Sequence, residues 1–285
     1  MSVLNFKDLR PPANYPTYPP YHQGYYLEEY FYDFYKHNKE AFDKTGYTLI
    51  PIFWTNVYNT GINRNLIQFY LNALPQGKYF TVSQHDDAVR EMLPEGTLSF
   101  EAGGNSNGIP IPLICSPINI TQQQQDKIIF CSFVGSINTN PIRKKLFELY
   151  SKDSDFIFDN QQWVSSIPSE RLNSFIDITQ KSKFALCPRG YGAQSFRLYE
   201  VLQLGAIPVI VYDNPWFPFN DEILWNDFAV LVHVDEINNL KQKLENITQS
   251  QQENMITKGK EIYNKYFTFE TTSKNILRVL QNDKK

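Results

Sequence analysis

Residues 183–213, KFALCPRGYGAQSFRLYEVLQLGAIPVIVYD, set a strand pattern, a glycine loop, a helical pattern and a second strand in that order. KFALC (183–187) and AIPVIVY (206–212) are apolar runs of strand length. SFRLYEVLQL (195–204) repeats apolar residues at helical spacing and stops at Gly205, a helix-capping residue. Strand, helix and strand in succession predict a parallel βαβ unit. The loop inside it reads Pro188-Arg189-Gly190-Tyr191-Gly192-Ala193-Gln194-Ser195. Its glycines let the backbone approach a ligand, and the helix start beyond it offers unpaired N–H groups to an anion. Arg189 adds a planar cation suited to bidentate phosphate contact. Ser195 can cap the helix or turn its hydroxyl to a ligand, and Arg197 and Glu200 follow one helical turn apart. The loop therefore reads as a phosphate-ester site. Two other readings stay open. One takes Ser195 as a plain N-cap and Arg197–Glu200 as a solvated pair. The other is a dinucleotide fingerprint, G-x-G-x-x-S with Asp213 ending the next strand, although an arginine before the first glycine is foreign to it.

The alternation continues on both sides. Downstream of residue 123, IIFCSFVG (128–135) and FIFD (156–159) read as strands around the helix PIRKKLFELY (141–150), where Pro141 suits a first turn. A helix from Ser169, the strand FAVLVHV (228–234) and helices over 236–281 complete that half. Upstream, a helix starts at Tyr26, TLIPIFW (48–54) reads as a strand and NRNLIQFYLNAL (63–74) as a helix. KYFTVSQ (78–84) is a strand, followed by a short helix at 87–93 and strands near 98–102 and 111–115. ITQQQQD, near residue 122, interrupts the pattern like a linker. Two domains are expected, 1–122 and 123–285, the last helix being able to pack back on the first. PPANYPTYPPY (11–21) should be extended.

Composition narrows the class. Of 285 residues, 42% are hydrophobic and 20% charged, which marks a folded globular chain long enough for a sizeable core. A net charge of −3 argues against a general nucleic-acid binder, which needs a basic surface. Aromatic residues reach 15%, enough for flat sugar- or base-binding surfaces or for a heavily aromatic core. Cys115, Cys131 and Cys187 sit in apolar runs and read as buried thiols rather than a disulfide framework. No apolar stretch approaches the roughly 20 residues of a membrane span, and no signal sequence is visible. A cytoplasmic location is expected, and the sequons at Asn119 and Asn246 carry little weight. His22, His37, His85 and His233 lack metal-ligand spacing. Asp153-Ser154-Asp155 follows a helix end and reads as a solvated turn, not a metal site.

The decisive segment, continued by PFNDEILWNDFAVLV, resembles the donor-domain pattern of the exostosin-like glycosyltransferases. FVGSINTNPIRKKLFELY (133–150), YYLEEYF (25–31) and YFTVSQHDDAV (79–89) extend the likeness more weakly. The resemblance implies a GT-B fold, two Rossmann-like domains facing each other across a cleft. It implies inverting transfer of a sugar from a nucleoside diphosphate, a UDP-sugar with UDP-xylose first, to a hydroxyl of a glycan or glycoprotein. No metal or other cofactor is expected. On this chain Arg189 and the loop Gly190, Tyr191, Gly192 and Ser195 would hold the diphosphate, with Arg143 as a second candidate. Arg197 lies beside them, and Glu200 would meet the ribose hydroxyls. The proton acceptor should come from the other domain, at the carboxyl end of a parallel strand. Asp86 is the first candidate, His85 a partner or rival and Glu28 an outside one, while Asp87 reads as a helix cap. Many family members carry a membrane helix, and this compact chain lacks one, which suits a microbial or viral glycan pathway in the cytosol. The competing class is a non-catalytic nucleotide-sugar or glycan-binding module.

Overall fold

A computed structural model describes residues 27–104, 107–114, 117–118, 125–164 and 167–283. The proline-rich 11–21 segment, His22, Cys115, the Asn119 sequon and most of the glutamine run lie outside the described residues. The chain forms two parallel α/β units, each built on its own sheet. The first sheet sets β1 (Tyr47–Leu49), β2 (Lys78–Ser83), β3 (Leu98–Glu101) and β4 (Ile109–Pro110) side by side in chain order. The second holds β5 (Ile129–Gly135), β6 (Phe156–Asn160), β7 (Ser182–Pro188), β8 (Ile207–Tyr212) and β9 (Val230–His233), ordered β6-β5-β7-β8-β9.

That second order positions the site. Helix α5 (Pro141–Tyr150) carries the chain from β5 to β6 on one side, and α6 (Ser169–Lys181) returns it to β7 on the other. Strand order reverses between β5 and β7, and a parallel sheet opens a crevice outside the carboxyl ends at such a point. Asn140 starts α5 by accepting the Ile142 N–H at 2.9 Å, with Pro141 in the first turn. Beyond β7 the glycine loop leads into α7 (Phe196–Leu204), which ends on Gly205 in the left-handed region.

Around the first sheet lie α1 (Leu27–His37), α2 (Lys39–Asp43), α3 (Trp54–Thr60) and α4 (Arg64–Asn72). The chain closes with α8 (Leu240–Glu245), α9 (Gln249–Tyr266) and α10 (Phe269–Asn282). Helix α10 lies against α1, where Tyr30 stacks on Phe269 at 5.3 Å. One apolar cluster runs from Leu27, Phe80 and Phe100 through Ile114 to Tyr199, Phe267 and Ile276, so both units share a core. The aromatic excess is spent there: the Phe31 ring meets Phe42 and Phe80 edge-on at 5.8 and 5.9 Å. Cys131 and Cys187 are buried free thiols, and burial pushes the Cys187 thiol up to about 12.

Three expected elements differ. The segment 87–93 is not a helix, because Ala88 takes a left-handed φ of 56° that stops helical propagation. Asp87 therefore caps nothing and pairs with Arg90. The TLIPIFW strand ends at Leu49, and its Trp54 opens α3 instead. No strand forms over 111–114, where Pro112 brings no N–H to a ladder; the pairing with β3 falls just before it, at Ile109–Pro110.

Candidate functional site

Residues beyond the carboxyl ends of both sheets line one cleft of about 470 Å³. Its second-unit wall is organised by Arg143, a helix residue only 7% exposed. Its Nε donates to the Arg189 carbonyl at 2.9 Å, Nη1 to the Ser136 carbonyl at 3.1 Å and Nη2 to the Pro188 carbonyl at 3.2 Å. One guanidinium thus ties the loops after β5 and β7 together. These three acceptors are neutral carbonyls, and the guanidinium charge also acts on the Asp86 carboxyl of the facing wall. Arg197 lies over the Phe133 ring at 4.7 Å and donates to the Val134 carbonyl. A Cβ on Gly135 would meet Arg197 Nη2, and the Gly135 φ of 143° disfavours any side chain, so glycine at 135 suits this seat.

Ser195 stands at the N-cap of α7 but makes no side-chain cap bond. It lines the cleft together with Gly190, exposed Tyr191, Arg197 and, one turn on, Glu200. Arg189 departs from expectation because it is not among the cleft-lining residues. Its Nη1 donates to Asp213 Oδ1 at 2.7 Å and its Nη2 to the Tyr191 carbonyl at 2.9 Å. Burial would raise the Asp213 carboxyl, but the bond and charge of Arg189 outweigh it and hold the group below its ordinary value. Asp213 is thereby engaged, which removes the acidic residue a dinucleotide fingerprint requires.

The facing wall comes from the first unit. A Cβ on Gly192 would lie 2.4 Å from Asp86 Oδ1, so the glycine is what lets this carboxylate reach the loop. Burial raises the Asp86 carboxyl above its ordinary value, against the opposing charges of Arg189 and Arg143. His85 adjoins it with its ring edge-on to Tyr58 at 4.9 Å. Burial first, and then the charge of Arg90, lower its pKa to about 4, so the ring is neutral near pH 7. Its Nδ1 accepts the Asp87 N–H at 3.2 Å, which assigns the ring proton to Nε2 and makes that atom a donor. Glu28, the outside candidate, does not line the cleft. It lies behind the wall, buried and bonded to Thr55 and Gln84.

Two cleft residues had no assigned role in the sequence reading. Gln194 is 6% exposed and crosses between the units. Its Nε2 donates to the Ala102 and Ile111 carbonyls at 2.8 and 2.7 Å, while its Oε1 accepts the Leu113 N–H at 3.3 Å and the Tyr199 hydroxyl. An amide in a loop shows no periodicity, so nothing in the pattern marks it. Trp163 exposes its indole at the cleft and at an adjoining recess of about 80 Å³, lined also by Arg171, Leu172 and Phe175. Its place just past a parallel strand was the available signal. Asp153 and Asp155 stand at the amino end of β6, away from the cleft, and both clasp Lys241 Nζ at 2.8 and 2.7 Å. Among the described residues no cluster of three or more His, Cys, Asp or Glu side chains could hold a metal ion, and no helix is long and apolar enough to cross a membrane.

The chain is similar in sequence to several proteins named as glycosyltransferases. A "probable glycosyltransferase" of Arabidopsis thaliana is 34% identical over 124 residues, 43% of this chain and 22% of that protein. A "probable glucuronosyltransferase" of Oryza sativa subsp. japonica is 36% identical over 81 residues, 28% of this chain and 19% of the relative. Human ribitol-5-phosphate xylosyltransferase 1 is 30% identical over 84 residues, again 28% of this chain and 19% of the relative. The matched stretches thus span about a fifth of each relative's length. The family model of the exostosin GT47 domain matches residues 69–247, well over half the chain, from within α4 to just past α8, and the chain belongs to that family.

Proposed function

We propose that the chain is a glycosyltransferase that moves a sugar from a UDP-sugar to a hydroxyl of a glycan acceptor, with inversion and without a metal. The observation that carries this reading is the Asp86 carboxylate of one unit lying against Gly192 of the other unit's glycine loop. In this reading the diphosphate sits at the start of α7, flanked by Arg143 and Arg197. Glu200 accepts the ribose hydroxyls, and the recess behind Trp163 takes the base. An acceptor entering along the first unit places its hydroxyl between Asp86 and the anomeric carbon. Asp86 takes the proton as the oxygen attacks, and the bond from the anomeric carbon to the diphosphate breaks on the opposite face. The charge that develops on the leaving oxygen is met by the two guanidinium groups and the α7 dipole. Relatives bearing glucuronosyl- and xylosyltransferase names support testing both sugars, with UDP-xylose first.

The test is incubation with UDP-xylose, UDP-glucuronate or UDP-galactose and a glycan panel, following UDP release and the product's anomeric coupling. Acceptor-dependent UDP release with an inverted linkage is expected, unchanged by excess EDTA. Loss of turnover on chelation, restored by Mn²⁺, would refute the metal-free route. A chain that binds no UDP by calorimetry would refute the whole reading.

A further inference from the structure

Glu28 is a buried carboxylate that the proposed chemistry does not use, yet its bonds reach two elements of the acceptor-side wall. Oε2 accepts the Thr55 N–H at 3.0 Å, and Oε1 accepts the Thr55 hydroxyl at 2.8 Å and the Gln84 N–H at 2.7 Å. Both partners line the cleft. Thr55 lies in the first turn of α3, whose N-cap is Phe53, a side chain with nothing to offer the unpaired N–H groups there. Glu28 supplies the missing cap from another helix. Gln84 answers in kind, for its Oε1 accepts the Leu27 N–H at 2.7 Å at the start of α1. Its Nε2 donates to the Ile114 carbonyl at 3.0 Å. The start of α1, the start of α3 and the end of β2 are therefore locked into one clasp, and His85 and Asp86 follow directly from its Gln84 corner.

We infer that Glu28 is a positioning residue, a cap supplied in trans that holds Thr55 and the Gln84–Asp86 turn in register against the glycine loop. The inference rests on the acceptor-side reading of that wall. Glu28→Gln keeps the size but replaces one acceptor oxygen with an NH₂ that faces N–H donors. Amide exchange followed by NMR should show Thr55 and Gln84 losing protection while β7 and β8 keep theirs. Turnover should fall roughly tenfold to 10²-fold, as for a displaced reacting group, with acceptor KM raised and UDP affinity unchanged. Thr55→Val, which removes the hydroxyl bond alone, should move acceptor KM in the same direction by less. Unchanged exchange at both amides would overturn the inference. So would a loss of kcat at constant acceptor KM, the mark of a smaller folded fraction. If Glu28→Gln does not fold, Thr55→Val decides, and an unmoved acceptor KM overturns the inference. If the wild-type chain transfers no sugar, the exchange result still decides the clasp, and only the function proposed above has failed.

Discussion

At Asp86 two opposing influences meet: burial disfavours its charge, and two guanidinium groups favour it. The balance leaves a carboxyl more basic than an exposed aspartate, a useful property in a proton acceptor. Asp86→Asn keeps shape and most hydrogen bonding but removes that basicity. Turnover should fall about 10²-fold or more, and UDP affinity by calorimetry should stay at the wild-type value. Retention of more than about a tenth of the turnover would move the base elsewhere, since general-base loss is typically larger. Gly192→Ala should harm both steps, because the added Cβ collides with Asp86 Oδ1 on one side and the Gly103 carbonyl on the other. A Gly192→Ala protein with unchanged UDP affinity and turnover would show that the contact is dispensable. Asp86 was legible because parallel strands deliver ligands at their carboxyl ends. The pairing of Arg189 with Asp213 belongs to no motif and follows from the sheet order. Strands β7 and β8 are neighbours with Pro188 opposite Val211, so the residues just past them, Arg189 and Asp213, are thrown together.

Helices and strands with strong periodicity matched their sequence pattern, and the misreadings fall where tertiary partners replace local signals. Helix α3 has no cap residue of its own in sequence, since its capping group comes from Glu28 some 27 residues upstream. The turn at 85–88 carries aspartates that imitate a helix start, and only the backbone of Ala88 reveals the difference. Gln194 belongs with these, since its amide is bonded to carbonyls and an N–H of the other unit. Glu28 also leaves a titration signature. Burial, against the bonds from Gln84 and Thr55, pushes its carboxyl from the ordinary 4.5 to about 7. Between those values the folded chain holds a proton that the unfolded chain has released. Stability from this group is therefore full below pH 4.5 and is lost as the pH rises through 7, by roughly 3 kcal/mol in all. Glutamine does not titrate, so Glu28→Gln should gain stability relative to wild type on going from pH 5 to pH 8. Urea unfolding at the two pH values measures this. An equal difference at both would mean that the carboxyl titrates normally.

On the scale of the whole molecule, the two sheets do not behave as two separate bodies joined by a strap. The shared cluster passes beneath the cleft from Phe80 and Phe100 to Tyr199 and Phe267, and α10 of the second half packs on α1 of the first. Polar bonds stitch the same seam: the Ala193 N–H donates to the Gly103 carbonyl at 2.6 Å, and Trp216 Nε1 to the Glu101 carbonyl at 3.2 Å. Gln194 is the centre of the seam, with both ends of its amide bonded. A cleft floored this way should open little, and donor and acceptor walls should stay in register without a large hinge motion. Unfolding should then be one cooperative event, with equal calorimetric and van't Hoff enthalpies. Two resolved transitions in the wild-type chain would contradict a common core. Gln194→Ala should weaken the seam without touching either sheet. It strands the Ala102 and Ile111 carbonyls and the Leu113 N–H, and a buried group left without its partner costs about 1–3 kcal/mol. Some compensation by water is available at the cleft floor, so a loss of about 3 kcal/mol is expected. The diagnostic feature is where the loss appears. If the seam couples the units, calorimetry of Gln194→Ala should show a van't Hoff enthalpy below the calorimetric one as the transition broadens or splits. Saturating UDP should raise the second unit's melting point more than the first's. A variant that melts as sharply as wild type, at the same temperature, would mean that the apolar core alone unites the molecule.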